Sequence, residues 1–195
     1  MAAGDSAVSI CNIALIALGE DVITSLADNT KRAILCNARY DDVRRAALRG
    51  HTWNCNRKQV QLAADPVNPL FTYSYRYRLP GDYMRMYNLP ENDMSVWDVF
   101  SDGTAQFLFT MDAGAPLDVV YGFDLQDPSQ FDPLLVQTIA YMLAVELCIA
   151  LSQSTDHLKM LEGMLEAKLG ISRLVGSQEN SPREWDEDVL LRSRR

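Results

Sequence analysis

The stretch 132-DPLLVQTIAYMLAVELCIAL-151 decides how the rest of the chain must be arranged. Asp132 is a good helix-capping residue, and Pro133 follows it in the first turn, where a missing N–H costs nothing. From Leu134 to Leu151 the residues are apolar enough to raise the question of a membrane span. Gln137 and Glu146 lie inside the run, however, Asp132 and Asp156 flank it, and no basic residues anchor its ends. The segment is expected to be a buried core helix, which requires other elements to cover it.

Three further helices are predicted to do so. Asp5 or Ser6 can cap a first helix whose residues Ala7, Cys11, Ala14, Leu15 and Leu18 recur at helical spacing, with Gly19 as the left-handed stop. Asp28, Asn29 or Thr30 can cap a second, in which Ala33, Cys36, Tyr40, Val43 and Ala47 share one face and Asp41, Arg45 and Arg49 are i,i+4 neighbours on another. Gly50 ends that helix. A last helix from about Thr155 carries Leu158, Leu161, Leu165 and Leu169 beside Met164, Ala167, Ile171 and Leu174, a wide apolar stripe.

Between these helical parts the period changes. Phe71, Tyr73, Tyr75, Tyr77 and Leu79 alternate with Thr72, Ser74, Arg76 and Arg78, the two-residue period of a half-buried strand. Prolines 66, 69, 80, 90 and 116 and turns such as Ser101-Asp102-Gly103 break the region into short strands. The expected fold is therefore α+β, mainly α: a four-helix bundle from residues 1–58 and 130–176, a small antiparallel β region inserted at 59–129, and an extended C-terminal tail at 177–195.

Composition narrows the function. A length of 195 residues with 48% hydrophobic content supports one sizeable core. The net charge of -8 argues against a protein whose main task is gripping phosphate backbones. Between Lys31 and Lys58, eight basic residues stand against Asp41 and Asp42, a local +6 that leaves -14 for the remainder. That run is either a solvated helix face or one half of a complementary contact between neighbours. Cys11, Cys36, Cys55 and Cys148 show no paired metal-ligand spacing and read as small buried hydrophobes in a reducing compartment. The first residues lack the basic segment and apolar run of a secretory signal.

Chemistry is sparse. The two histidines, His51 and His157, have no Cys, Asp or His at ligand spacing and read as structural. No phosphate loop, nucleophile elbow or zinc-protease motif occurs in the sequence. Asp124, Asp127 and Asp132 could suggest metal or glycosidase chemistry, but they surround prolines before a helix, where turn formation and capping account for them. The reading is of a chain that is not an enzyme and uses no cofactor. The terminus Glu184-Trp185-Asp186-Glu187-Asp188-Val189-Leu190-Leu191-Arg192-Ser193-Arg194-Arg195 is too polar for a core yet carries tryptophan and three aliphatics. It either folds back on the bundle or orders on a partner.

The order of several short signatures adds a further expectation. Ile13-x-x-x-x-Leu18-Gly19-Glu20, Val22-Ile23-Thr24-Ser25-Leu26, Cys36-x-x-x-Tyr40-Asp41-Asp42-x-Arg44, Leu48-Arg49-Gly50-His51-Thr52-Trp53-Asn54 and Tyr77-Arg78-Leu79-Pro80-x-Asp82 follow one another along the chain. This order resembles the head-to-tail adaptors of short-tailed bacteriophages, the tail tubular protein A type. The family's usual His-Pro-Trp stands here as His51-Thr52-Trp53, and the aromatic that follows is replaced by Cys55.

The resemblance implies a structural virion protein of the head-to-tail junction, made in the host cytoplasm. It implies a homo-oligomeric ring, a dodecamer in known members, that docks under the portal protein and receives the tail nozzle protein. Double-stranded DNA would pass through the lumen without specific binding, and no membrane is involved. On this reading Arg39, Arg44, Arg45 and Arg49 form a subunit interface with the acidic face of a neighbour. Trp185, Val189, Leu190, Leu191, Arg192, Arg194 and Arg195 bind the portal. The alternatives are a cytosolic regulatory binding module with a peptide-like C-terminal tail, and a small helical enzyme using Asp124, Asp127 and Asp132.

Overall fold

A computed structural model of the chain describes residues 6–67, 69–88, 96–111 and 116–179. The first helix, α1 (Ala7–Ala17), starts at Ser6, whose hydroxyl accepts from the Ser9 amide while Ser9 Oγ accepts from the Ser6 amide, a reciprocal cap. It ends where Gly19 takes φ 74°. The connecting loop is pinned by Asn12, whose side chain donates to the Ile23 carbonyl at 3.0 Å and accepts from its amide at 2.8 Å. Thr30 then caps α2 (Lys31–Gly50), whose buried face holds Ala33, Cys36, Tyr40, Val43 and Ala47.

Asp132 caps α3 (Pro133–Leu151), and α4 (Thr155–Glu179) returns alongside it. The third helix is the axis of the helical part. Leu135, Val136, Thr138, Ile139, Ala140, Leu143, Ala144, Leu147 and Cys148 are all buried, a set that runs around most of its circumference. Such a helix passes the length and apolarity test for a membrane span, and here α1, α2 and α4 surround it. Thr138 satisfies its hydroxyl on the Leu134 carbonyl, and Glu146 meets Arg39 of α2 at 2.7 Å. Gln137 Oε1 accepts from Lys168 of α4 at 2.6 Å.

The β part consists of two antiparallel three-stranded sheets. In the first, β6 (Leu117–Phe123) lies between β1 (Arg57–Leu62) and β3 (Tyr83–Asn88). In the second, β5 (Gln106–Thr110) lies between β2 (Tyr75–Arg78) and β4 (Trp97–Ser101). A bridge between Ala64 and Tyr77, with the Asp65 amide donating to the Arg76 carbonyl, ties the sheets together. Between them lies a second core of Leu62, Tyr77, Leu79, Met86, Leu108, Leu117, Val119 and Tyr121, separate from the helical one. Gly122 is needed at its place: a Cβ there would stand 2.7 Å from Tyr87 Oη, the hydroxyl that donates to Asn56.

This architecture corrects the expected mainly α fold of a four-helix bundle with a small β insertion. The fold is mixed α+β, with two sheets that bury a core of their own. The helices do not close a bundle either, because α4 buries only Leu161 and Ser172 and packs chiefly on α3. A wide apolar stripe does not by itself find a second partner. The alternation from Phe71 to Leu79 also overstates its strand: the ladder begins at Tyr75, since Thr72 takes φ 68° and Phe71 is 79% exposed. Residues 177–179 of the anticipated tail belong to α4, and residues 180–195 lie outside the described part.

Because α3 holds the helical core together, Leu143→Ala, which removes a fully buried side chain, is expected to cost about 2–5 kcal/mol. Ile149→Ala on the exposed side of the same helix should change stability by less than about 0.5 kcal/mol. Urea unfolding followed by circular dichroism separates the two.

Candidate interaction surfaces

The basic helix α2 carries the four arginines expected at a subunit interface, and the structure puts them to different uses. Arg44 is buried, 4% exposed, and its Nη1 donates to Asp124 Oδ1 and to the Leu125 carbonyl at 2.7 Å. Its Nε also donates to Asp41 at 3.4 Å. Arg39 donates to Glu146 at 2.8 Å and lies within 3.4 Å of Asp42. Arg49 donates to the Met84 carbonyl at 2.9 Å, and the Arg85 guanidinium reaches the Arg49 carbonyl in return. Three of the four therefore hold the chain to itself. Arg45 is exposed and has no hydrogen-bond or ion-pair partner among the described residues.

Arg45 lines a cleft of about 410 Å³ between α2, the Pro80-Gly81 turn and the β4–β5 hairpin, with Arg78 on its other side. Tyr83 and Thr104 also face it, and burial raises the Tyr83 phenol pKa. The two nearby carboxylates are engaged elsewhere. Asp102 accepts from the Ala105 and Thr104 amides at 2.8 and 2.9 Å, bonds that hold its carboxyl down at about 2. Burial pushes the Asp82 carboxyl up, but hydrogen bonds from Lys58 and Tyr121 outweigh it and leave the pKa lowered.

A second surface lies along α4. Met160, Met164, Ala167, Ile171 and Leu174 follow one another at four- and three-residue steps, and all are exposed. At 100° per residue this line sits about a third of a turn around the helix from Leu161 and Ser172, the residues that face the core. Lys159, Glu162, Glu166 and Arg173 occupy the opposite, polar arc.

The histidines have structural partners. His157 Nε2 donates to the Ala17 carbonyl at 3.2 Å, fastening the start of α4 to the end of α1. His51 packs edge-on against Trp53, with ring centroids 4.8 Å apart, and burial, with Arg173 nearby, lowers its pKa. Trp53 itself donates to the Ala47 carbonyl at 3.0 Å, so the His51-Thr52-Trp53 turn closes the end of α2. Asp127 caps the short turn at Ser129, Asp132 caps α3, and Asp124 binds Arg44, so the three carboxylates serve separate structural roles. Among the described residues, no group of three or more His, Cys, Asp or Glu side chains is placed to hold a metal ion. The hydrogen bond that Cys11 shares with Cys36, then burial, pushes the Cys11 thiol far up, away from thiolate chemistry. The expected portal-binding residues, Trp185, Val189, Leu190, Leu191, Arg192, Arg194 and Arg195, lie outside the described residues.

Reading the sequence did not find the role of Asp124, which looked like one more turn residue. Its proximity to a basic helix in the fold, rather than any local spacing, makes it the partner of Arg44. No known family model matches the chain, and no curated protein matches it.

Removing one side of a buried ion pair leaves the other charge unpaired, so Arg44→Leu is expected to cost about 3–5 kcal/mol. Arg44→Leu combined with Asp124→Leu should recover much of that loss, and a double-mutant cycle from thermal unfolding measures the coupling.

Proposed function

We propose that the chain is a structural subunit of a head-to-tail adaptor ring that joins a phage portal to the tail nozzle and surrounds the DNA channel. The observation that carries this reading is the open apolar line on α4, Met160, Met164, Ala167, Ile171 and Leu174. A 25-residue helix that buries two side chains against its own chain and leaves a second apolar line outside has a face suited to a neighbouring copy. In a closed ring each subunit offers a different patch to each neighbour, so this line would meet a second, different patch on the adjacent copy.

The lateral contact is assigned to this apolar line, because Arg39, Arg44 and Arg49 are engaged within the subunit. The net charge of -8 further supports a lumen that DNA crosses without sticking. In the ring the C-terminal segment, residues 180–195, reaches the portal.

Mixing the purified chain with the portal protein encoded by the same genome, and imaging the product by electron microscopy, tests the reading. A second ring stacked on the portal is the expected result. A well-folded portal that stays bare would overturn it. In the same assay Met164→Glu with Ile171→Glu should abolish ring formation, while the melting temperature of the free chain stays close to that of the wild type because both side chains are already about half exposed and can turn toward water. Ring formation undiminished in that variant would remove α4 from the interface.

A further inference from the structure

The cleft between α2 and the β4–β5 hairpin combines two properties that together describe a ligand. The first is positive charge that makes no side-chain hydrogen bond or ion pair. Arg45 and Arg78 line the same cavity, and neither has a hydrogen-bond or ion-pair partner among the described residues. Arg39, Arg44, Arg49, Arg76 and Arg85, by contrast, all donate within the chain. Of the nearby acids, Asp102 is bound by backbone amides, Asp82 by Lys58 and Tyr121, and Asp65 by Arg76, although Asp65 also feels the Arg78 charge. A free guanidinium presents a planar fork of donors that matches a carboxylate.

The second property is an aromatic surface beside the cleft rather than in its lining: Phe100 precedes the lining residue Ser101 on β4. Register places Arg78, Phe107 and Phe100 in one row across β2, β5 and β4. Phe100 meets Phe109 at 5.0 Å and Tyr73 at 6.0 Å between ring centroids, and it remains 49% exposed. A ligand that satisfies both features carries several carboxylates beside an aromatic ring. The chain contains such a segment, Glu184-Trp185-Asp186-Glu187-Asp188.

The described chain leaves α4 near the end of α2 that carries Arg45. Glu179, the last residue of α4, accepts a hydrogen bond from Asn54, just beyond the end of α2. Arg45 precedes Gly50 by five residues, about 8 Å along the helix axis. The five residues from Glu179 to Glu184 span up to about 17 Å when extended. We propose that the cleft is a docking site for the acidic, aromatic segment Glu184–Asp188 of the same chain, with carboxylates on Arg45 and Arg78 and the Trp185 ring against Phe100. A nucleic-acid backbone would also offer anions and stacking bases, but a chain of net charge -8 opposes it. The segment occupies the cleft in the free subunit, before any portal takes it, so the site stands whether or not the chain builds a ring.

The test uses a full-length chain in which Glu184→Gln, Trp185→Ala, Asp186→Asn, Glu187→Gln and Asp188→Asn vacate the cleft. The probe is a fluorescent synthetic peptide of residues 180–195, read by polarisation. The peptide should bind this chain, and adding Arg45→Glu with Arg78→Glu should weaken binding by about tenfold or more. The wild-type chain should bind the same peptide more weakly than the vacated one, because its own segment competes. Both arginines are exposed and unpartnered, so the variants should fold, and Arg45→Gln with Arg78→Gln repeats the test if charge reversal does not. Equal affinity with and without the arginine changes would overturn the site. Equal affinity of wild-type and vacated chains would overturn its occupation by this segment. Tighter binding of a single-stranded oligonucleotide than of the peptide would give the cleft to nucleic acid.

Discussion

A helix that is apolar around most of its surface must be enclosed, and α3 imposes that requirement on the whole molecule. Each fully buried leucine or isoleucine on it contributes about 1.5–3 kcal/mol relative to exposure, so Leu135, Ile139, Leu143 and Leu147 together exceed any surface interaction in the chain. The other helices are placed by it. The buried stripes of α1 and α2 lie against it, and α4 returns along it after the turn at Ser152 and Gln153. The buried Thr138 hydroxyl on α3 is satisfied by the Leu134 carbonyl, and Glu146 lies on the exposed side, where Arg39 meets it.

The β part makes a separate core and must then be fixed to the helical one, and here charge does what apolar packing does elsewhere. Arg44 leaves α2 and binds Asp124 and the Leu125 carbonyl at the point where the chain leaves β6. Arg49 and Arg85 cross-connect α2 and β3 through backbone carbonyls. Met84 meanwhile reaches from β3 into the helical core. A buried arginine bound to a carboxylate and a backbone carbonyl costs much to break, and its directionality fixes the orientation of the two cores. The concentration of basic residues between Lys31 and Lys58 thus has an internal explanation for most of its members, which leaves Arg45 conspicuous.

Much of the helical part was legible because its signals are local. Capping by Ser6, Thr30 and Asp132, the stop at Gly19 and the buried line from Ala33 to Ala47 depend on residues within a few positions of one another. What escaped was set by distant pairing. Asp124 lies 80 residues from Arg44, and β1 pairs with β6 across most of the middle of the chain, so neither the ion pair nor the division into two sheets has a local mark. Thr72 shows the limit of periodicity: alternation continues through it, but its backbone does not stay extended. Apolar spacing on α4 marked two lines of side chains and could not say that only one of them would be covered. For the same reason the four arginines of α2 were legible as a basic face, and only the fold separates the three that are used from the one that is open.

The magnitude of that open line bears on how assembly would proceed. Met160, Met164, Ile171 and Leu174 are each roughly half exposed, so covering all four would contribute roughly 3–6 kcal/mol. Bringing two free proteins together costs about 4–15 kcal/mol in lost translational and rotational freedom. One such contact does not hold two isolated copies together at ordinary concentrations. The balance changes when a partner ring holds neighbours side by side, because each further contact is then made at a high effective concentration and closure adds a contact without adding a subunit. A face of this strength suits a subunit that stays apart until a template aligns it, and a larger apolar face would polymerise without one.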